Sequence, residues 1–409
     1  MSSTAGLKTG LLTIGERIEL LRRQRDLSRR ALAELVGRSE EWLRLIESGN
    51  KPLDSVALIF RLAEALHIKD VREFIALPPQ LAPAGVEAGD QLAESLKRSI
   101  INYPAIRTNE GTAANTESLT DLTDRLHRCQ NIWEHSPTRY TELAESLPKV
   151  LTAARIQYLL SHDDDAGELL LQSYHLSRRF LTRIGSHQLA FTAADRATMV
   201  AEQLRNPWQL AACAWHTGNG MLGLSQAQEC HDYAMTAADH LTDVADSVDK
   251  TVLTGALQLL AAKGAAAAGN VAESDRLTTA ATHRASQFDT DHRTYDIPFG
   301  PTESLIARLE IMLWGGNCEQ AAELAAQQHV PDAHPISGRM RFHLAGAYAC
   351  ARRNDYAGAS SALGKAADVC PEDFRYGSDT QSTLQYLVKQ DNRLVRQEVH
   401  ELARVAGLR

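Results

Sequence analysis

Residues 28–47 read SRRALAELVGRSEEWLRLIE, and two short helical patterns in this stretch flank a tight turn. Ala33 is small enough to let the two helices cross closely, and Gly37 can supply the positive φ that the turn requires. Leu43 and Ile46 are spaced to anchor the second helix on the first. The combination predicts a helix-turn-helix, which makes DNA binding the leading interpretation of the chain.

The flanking sequence predicts a compact domain over residues 1–77. Thr13 and Glu16 match a capping box that begins a first helix, and Ser28 and Ser39 are suitable N-caps for the two helices of the motif. Asp54 or Ser55 caps a fourth helix with an apolar inward face: Val56, Ile59, Leu62, Ala63 and Leu66. A short fifth helix follows over 71–76. Five helices are therefore expected.

Residues 13–77 resemble the DNA-binding domain of the Cro/C1-type (XRE) regulators. Members of that family insert the second helix of the motif into the major groove. Carried over by position, the resemblance implies that these residues contact DNA: Arg29, Arg38, Ser39, Glu40, Glu41, Trp42, Arg44 and Leu45. Arg44 is the expected base contact, to guanine, whereas Arg29, Arg38 and Ser39 are expected at phosphates.

Several of these residues have a second interpretation. Glu40 and Glu41 either accept hydrogen bonds from cytosine or stabilise the helix N-terminus. Trp42 either stacks on DNA or packs on a neighbouring helix. Four arginines form a basic cluster: Arg22, Arg23, Arg25 and Arg30. They either steer phosphates or form a solvated helix face.

Charge is distributed unevenly along the 409 residues. Residues 1–77 carry 13 basic and 11 acidic side chains, whereas the remainder carries 30 and 40. The acidic remainder argues against a second nucleic-acid surface. The six cysteines are scattered and form no CxxC pair, as expected in a reducing cytoplasm. No apolar run reaches the roughly 18 residues of a membrane span. We expect a cytoplasmic protein without a membrane partner.

A proline- and glycine-rich linker with a lead-in helix is predicted over residues 78–118, and an all-α solenoid over 119–409. The clearest helical hairpin spans 341–371, where small and large residues fall in the register of a tetratricopeptide repeat: Ala347, Asn354, Tyr356, Ala359, Leu363, Ala366 and Pro371. Other hairpins are expected to start near Leu119, Ala153, Ala190 and Gln209, among other places. About six or seven hairpins would form a right-handed solenoid with a concave face.

Residues 299–302 (Phe-Gly-Pro-Thr) and 344–375 are similar to segments of actinobacterial regulators that join an XRE-type domain to tetratricopeptide repeats. After the Phe-Gly-Pro-Thr motif that family tends to carry an asparagine and a histidine, where this chain has Glu303 and Ala307. The resemblance implies the architecture and leaves the ligand open.

The segment from Phe288 to Glu303 is predicted to be a non-helical excursion between hairpins, without regular strands. It is either a structural spacer or the lining of a groove. Candidate groove residues in and around it are Trp208, Trp215, Tyr295, Phe299, Glu303 and Trp314. The aromatic members are alternatively core residues.

The sequence favours a transcriptional regulator that binds operator DNA as a homodimer and senses a peptide or small metabolite. An alternative is a protein-interaction scaffold whose helix-turn-helix has lost strong DNA binding. An enzyme is the least favoured interpretation, because the sequence carries no nucleophile, acid/base or nucleotide-binding motif. No cofactor and no metal site are expected; residues 162–165 (His-Asp-Asp-Asp) are better explained as a polar helix start.

Overall fold

The chain folds into two compact units, residues 1–87 and residues 88–409. The structure is a computed structural model of the single chain. It describes residues 15, 18–19, 22–23, 25, 27–48, 58, 61–62, 65–66, 88–101 and 117–408.

The first unit contains the predicted helix-turn-helix. Helix α1 spans Arg29–Leu35 and helix α2 spans Glu40–Glu47. The Ser28 and Ser39 side chains cap them, because each hydroxyl accepts a hydrogen bond from a backbone amide three residues on. Gly37 has a φ of +68° in the turn between them. The local predictions for this stretch are confirmed.

One face of each helix joins a common apolar core. The described part of that core comprises Ile18, Leu32, Ala33, Val36, Leu43, Ile46, Leu62 and Leu66. Leu35 lies outside this core, because its side chain is 62% exposed. The predicted Thr13/Glu16 capping box, the cap at Asp54 or Ser55 and the short helix over 71–76 lie outside the described residues, as do Val56, Ile59 and Ala63.

The second unit is built almost entirely from helices. In chain order they are α3 (Ala88–Ile101), α4 (Leu119–His135), α5 (Arg139–Ser161), α6 (Asp164–Arg183), α7 (His187–Leu204), α8 (Pro207–Gly223), α9 (Ala227–His240), α10 (Val248–Ala267), α11 (Val271–Ala285), α12 (Pro301–Trp314), α13 (Cys318–Gln327), α14 (Ile336–Arg352), α15 (Tyr356–Val369), α16 (Pro371–Tyr376), α17 (Ser378–Gln390) and α18 (Arg396–Val405). The predicted all-α class is confirmed.

Helices from α4 onward pair as antiparallel hairpins, and successive hairpins stack through their first helices: α6 on α8, α8 on α10, α10 on α12 and α12 on α14. This is the α-solenoid that the repeats predicted. In the hairpin of α14 and α15, Asn354 has a φ of +62° at the turn, and Ala359 and Leu363 are fully buried. Helix α3 packs on α5 through Leu92 and Ile100, which are also fully buried.

Three expectations for this unit were wrong. No hairpin starts near Ala153, which lies inside the 23-residue helix α5. None starts near Ala190, which lies in α7, the second helix of the hairpin that begins with α6. The excursion after α11 also contains a short antiparallel β-hairpin, β1 (His292–Thr294) and β2 (Ile297–Phe299). Tyr295 and Asp296 form its two-residue turn with φ values of 48° and 63°, which is the turn geometry that matches strand twist.

The two ends of the solenoid meet. Helix α14 contacts α4, and the short helix α16 contacts α5. Within the described residues no helix is long and apolar enough to cross a membrane.

Candidate functional site

Helix α2 presents a polar outer face. Glu40, Glu41 and Arg44 are exposed, and Leu45 is half-buried. Trp42 is also half-buried and packs against the apolar core of the first unit. The geometry therefore favours the packing interpretation of Trp42 over stacking on DNA.

Arg44 is held by a neighbour on its own helix. Its Nε and Nη2 donate to the two carboxylate oxygens of Glu41 at 2.8 and 2.7 Å. The hydrogen bond raises the pKa of Arg44 and lowers that of Glu41. Both side chains are exposed, so the pair adds little stability and Arg44 can exchange Glu41 for another acceptor.

The phosphate candidates differ in availability. Arg38 and Ser39 are exposed at the start of α2, with the Ser39 hydroxyl already engaged as the cap. Arg29 is partly exposed, and its Nε donates to Glu47 Oε2 at 2.6 Å. That hydrogen bond raises the pKa of Arg29. The backbone amides and Arg38 at the start of α2 remain suited to phosphate, whereas Arg29 is paired with Glu47 at the other end of that helix.

The arginines of the predicted basic cluster differ in how exposed they are. Arg22 is 7% exposed, and its Nε donates to Glu47 Oε1 at 2.7 Å, so it is a structural residue rather than a phosphate contact. Arg23 and Arg30 are exposed and pair with acids one helical turn away, Glu19 and Glu34.

A cavity of about 590 Å³ lies inside the second unit. This volume is in the usual range of small-molecule sites. Trp215, Glu303 and Trp314 line it, as predicted from sequence. Tyr295 lines a separate pocket of about 460 Å³ beside Glu168 and Asp249.

Three of the six groove candidates do not line the cavity: Trp208, Tyr295 and Phe299. Phe299 has no exposed surface and packs against α10, where a Cβ at Gly255 would collide with its ring. Trp208 packs on the same apolar cluster. Phe299 was therefore wrongly assigned to the groove: it anchors the β-hairpin.

Charged side chains that the sequence analysis missed form a network along one wall of the cavity. Arg341 donates to Glu303 Oε2 at 2.8 Å and to Glu310 Oε1 at 2.7 Å, while Lys263 pairs with Glu310 at 2.5 Å. Burial alone would raise the pKa of Glu303, but the charge of Arg341 lowers it to about 2. The only sequence signal for this wall is that charged residues occur at inward positions of otherwise apolar helices.

A second network ties the β-hairpin to the first helices of the unit. Arg179 pairs with Glu134 and, at 2.6 Å, with Asp296. Arg293 pairs with Glu134 at 3.1 Å and with Asp296 at 2.5 Å. Burial opposes ionisation of Glu134, yet the two arginine charges lower its pKa to about 2. These ion pairs tie the hairpin turn to α4 and α6.

Acid is expected to destabilise the second unit through Glu134. A pKa below the ordinary value of a glutamate means that its stabilisation is complete above about pH 4.5 and is lost as the pH falls towards about 2. The loss is on the order of 3 kcal/mol. Urea unfolding should show that the free energy of unfolding of Glu134→Gln is lower than that of the wild type at pH 7. It should also fall less steeply than that of the wild type between pH 4.5 and about pH 2. The matched control is Asp124→Asn, on the exposed side of α4. If the stability of Glu134→Gln falls with pH as steeply as that of the wild type, Glu134 is not the source of the acid sensitivity.

The buried face of α6 and α8 holds a cluster without carboxylates. The rings of His175 and His216 stack at 3.7 Å, and Arg178 donates to His216 Nδ1 at 2.8 Å through Nη2. Burial lowers the pKa of both histidines well below the ordinary value, so both are neutral at pH 7. Cys213 lies 3.4 Å from His175 Nε2. Within the described residues no group of acids, histidines or cysteines has the arrangement of a metal site.

The acidic run at residues 162–165 begins helix α6. Asp163 is its N-cap and accepts a hydrogen bond from the Ala166 amide at 2.7 Å. The structural interpretation of this run is confirmed.

A family of helix-turn-helix domains matches residues 13–74. This part of the chain is a helix-turn-helix domain. The match includes α1, α2 and every residue for which a DNA contact was expected. No curated protein matches the chain.

Three solved structures are similar to the chain along most of its length. PlcR of Bacillus thuringiensis, solved with the peptide PapR7 and DNA, is 11% identical with a TM-score of 0.32, covering 93% of this chain and 99% of its own. Aspartyl phosphate phosphatase F of Bacillus subtilis is 14% identical with a TM-score of 0.40, covering 89% and 96%. The apo competence regulator ComR of Streptococcus vestibularis is 12% identical with a TM-score of 0.25, covering 97% and 98%. None of these three similarities is strong enough to indicate a function.

Proposed function

We propose that this protein is a sequence-specific transcriptional regulator that binds operator DNA through α2 and an effector through the cavity of its solenoid. The observation that carries the proposal is the helix-turn-helix domain at residues 13–74, with the outer face of α2 exposed. The cavity of the second unit supports the sensing role, because a concave space lined by aromatic and charged side chains is typical of a binding site.

The regulator acts as a homodimer in this proposal. One helix-turn-helix makes few base contacts, and two copies on two half-sites gain both affinity and specificity. The effector, a short peptide or a small metabolite, changes the placement of the two DNA-binding domains. Such coupling requires only that the effector has different affinities for two arrangements. The combination of domains also supports a place among the regulators that join an XRE-type domain to tetratricopeptide repeats.

Arg44→Ala is expected to weaken binding to the operator by about 1–3 kcal/mol, because a guanidinium that leaves Glu41 can contact guanine with two hydrogen bonds. The test is a DNase footprint of the purified protein across its own upstream DNA, repeated with the variant. Arg404→Ala is the matched control, since Arg404 forms the same exposed pair with Glu401 three residues before it, but in α18.

Two protected half-sites about one helical turn apart, or a multiple of it, support the proposed dimer. Full protection by Arg44→Ala would contradict the role of Arg44. If the wild-type protein protects no DNA at moderate salt, the interaction scaffold becomes the better interpretation, and the exposed acids Glu40 and Glu41 would explain the loss.

A further inference from the structure

The cavity of the second unit is lined by six cationic side chains, and five of them have carboxylate partners. Arg179 and Arg293 pair with Asp296, Arg183 with Asp373, Lys263 with Glu310 and Arg341 with Glu303, at distances of 2.5–2.8 Å. The sixth is Arg178. None of the carboxylates in the described part of the chain forms an ion pair with it.

Arg178 is 4% exposed, and the contacts it makes do not neutralise its charge. Its Nε and Nη2 both donate to Nδ1 of His216, at 3.1 and 2.8 Å. His216 is a neutral acceptor, because burial lowers its pKa well below the ordinary value. The ring of Trp215 lies 5.4 Å from the guanidinium carbon.

A buried charge without a counter-ion is unfavourable, and the lowered pKa of Arg178 is a sign of this cost. Burial, with the nearby charge of Arg179, lowers the pKa of Arg178 to about 9, although the charge of Asp296 opposes this shift. Arg178 is therefore still charged at neutral pH. Buried arginines are normally paired or bound to a ligand. Such unpaired groups are retained where function requires them.

We propose that Arg178 binds a carboxylate group of the effector. This inference rests on the proposed function in one respect, namely that the cavity is an effector site. With Nε and one N–H of Nη2 on His216, the guanidinium offers Nη1 and the second N–H of Nη2 to the two oxygens of a single carboxylate. A phosphate dianion would need a second free cation. Apolar walls from Trp215, Leu222 and Leu313 of the same cavity would hold the body of the ligand.

The first test separates a ligand-binding role from a structural one by the size of a stability change. Arg178→Met is expected to change the melting temperature of the ligand-free protein little, because removal of an unpaired buried charge offsets the loss of the hydrogen bonds to His216. Arg183→Met is the matched control on the same helix, and it should lower the melting temperature, since it leaves Asp373 short of a partner. A fall in Arg178→Met as large as that in Arg183→Met would overturn the proposal.

The second test uses phenylacetate and its neutral counterpart phenylacetamide as probes of the full-length protein. Calorimetric titration should show binding of phenylacetate that is about 10- to 100-fold tighter than that of the amide. Arg178→Met should lose this preference, and Arg178→Lys should keep part of it. No binding of phenylacetate, equal binding of the amide, or an unchanged preference in Arg178→Met would overturn the proposal. Equal or tighter binding of inorganic phosphate would also overturn it.

The carboxylate could belong to a peptide C-terminus or to a small organic acid. A pool of heptapeptides with free C-termini, compared with the same pool after amidation, distinguishes the two. Tighter binding of the free pool than of phenylacetate, lost on amidation, identifies a peptide C-terminus. Weaker binding of the pool identifies a small organic acid. Either result supports a carboxylate site at Arg178. The DNase footprint of the wild-type protein tests separately whether the protein is a regulator. A protein that binds carboxylates through Arg178 but protects no DNA would overturn only the proposed function.

Discussion

Asp373→Asn is expected to lower the stability of the second unit by about 3–5 kcal/mol, the usual effect of removing one member of a buried ion pair. Asp373 is fully buried. Its Oδ2 lies 2.7 Å from Nη2 of Arg139 and 2.6 Å from Nη2 of Arg183, and its Oδ1 accepts from the Tyr140 hydroxyl at 2.5 Å. Burial opposes its ionisation, but the two arginines hold its pKa well below the usual range.

The effect should be large because asparagine keeps the shape and loses only the charge. Arg139, which has no exposed surface, would then lack its counter-ion. The contact also joins helix α16 to α5, so the two ends of the solenoid would separate first. Urea unfolding followed by tryptophan fluorescence measures the loss, with Asp368→Asn on the exposed face of α15 as the control. Equal stability of the two variants would show that the closure of the solenoid does not depend on this ion pair.

The hairpins and the helix-turn-helix could be predicted because their signals are local. A capping serine, a glycine in a turn and small residues at fixed spacings act on neighbours within about one helical turn. Gly37, Ser39 and Ala359 are examples. The β-hairpin could not be predicted in the same way, because three-residue strands are too short to show an alternating pattern.

The candidate cavity could be predicted only in part. Its aromatic residues Trp215 and Trp314 were expected, since large side chains on repeat helices lie either in the core or on the inner face. The ion pairs were not expected, because Arg341 and Glu310 are 31 residues apart and Arg139 and Asp373 meet only when the solenoid closes. Which arginine lacks a partner is a property of the tertiary structure alone.

The same kind of buried pair decides the stability of the DNA-binding unit. Glu47, at the end of α2, has a side chain that is 1% exposed. Its carboxylate accepts from Arg22 Nε at 2.7 Å and from Arg29 Nε at 2.6 Å. One acid therefore ties α2 to the residue that begins α1 and to Arg22 upstream of it.

Glu47→Ala is expected to lower the free energy of unfolding of this unit by about 3–5 kcal/mol, which is a large share of the total for a small domain. The variant should therefore lose DNA binding, although the exposed face of α2 is unchanged. Amide hydrogen exchange of residues 29–47 in the full-length chain measures the opening, with Glu40→Ala as the exposed control on the same helix. The double variant Arg22→Met/Glu47→Leu should restore protection, because apolar side chains of similar volume replace a buried pair at little cost. If the double variant remains as open as Glu47→Ala, the role of Glu47 lies in its contact with Arg29 rather than in the buried pair.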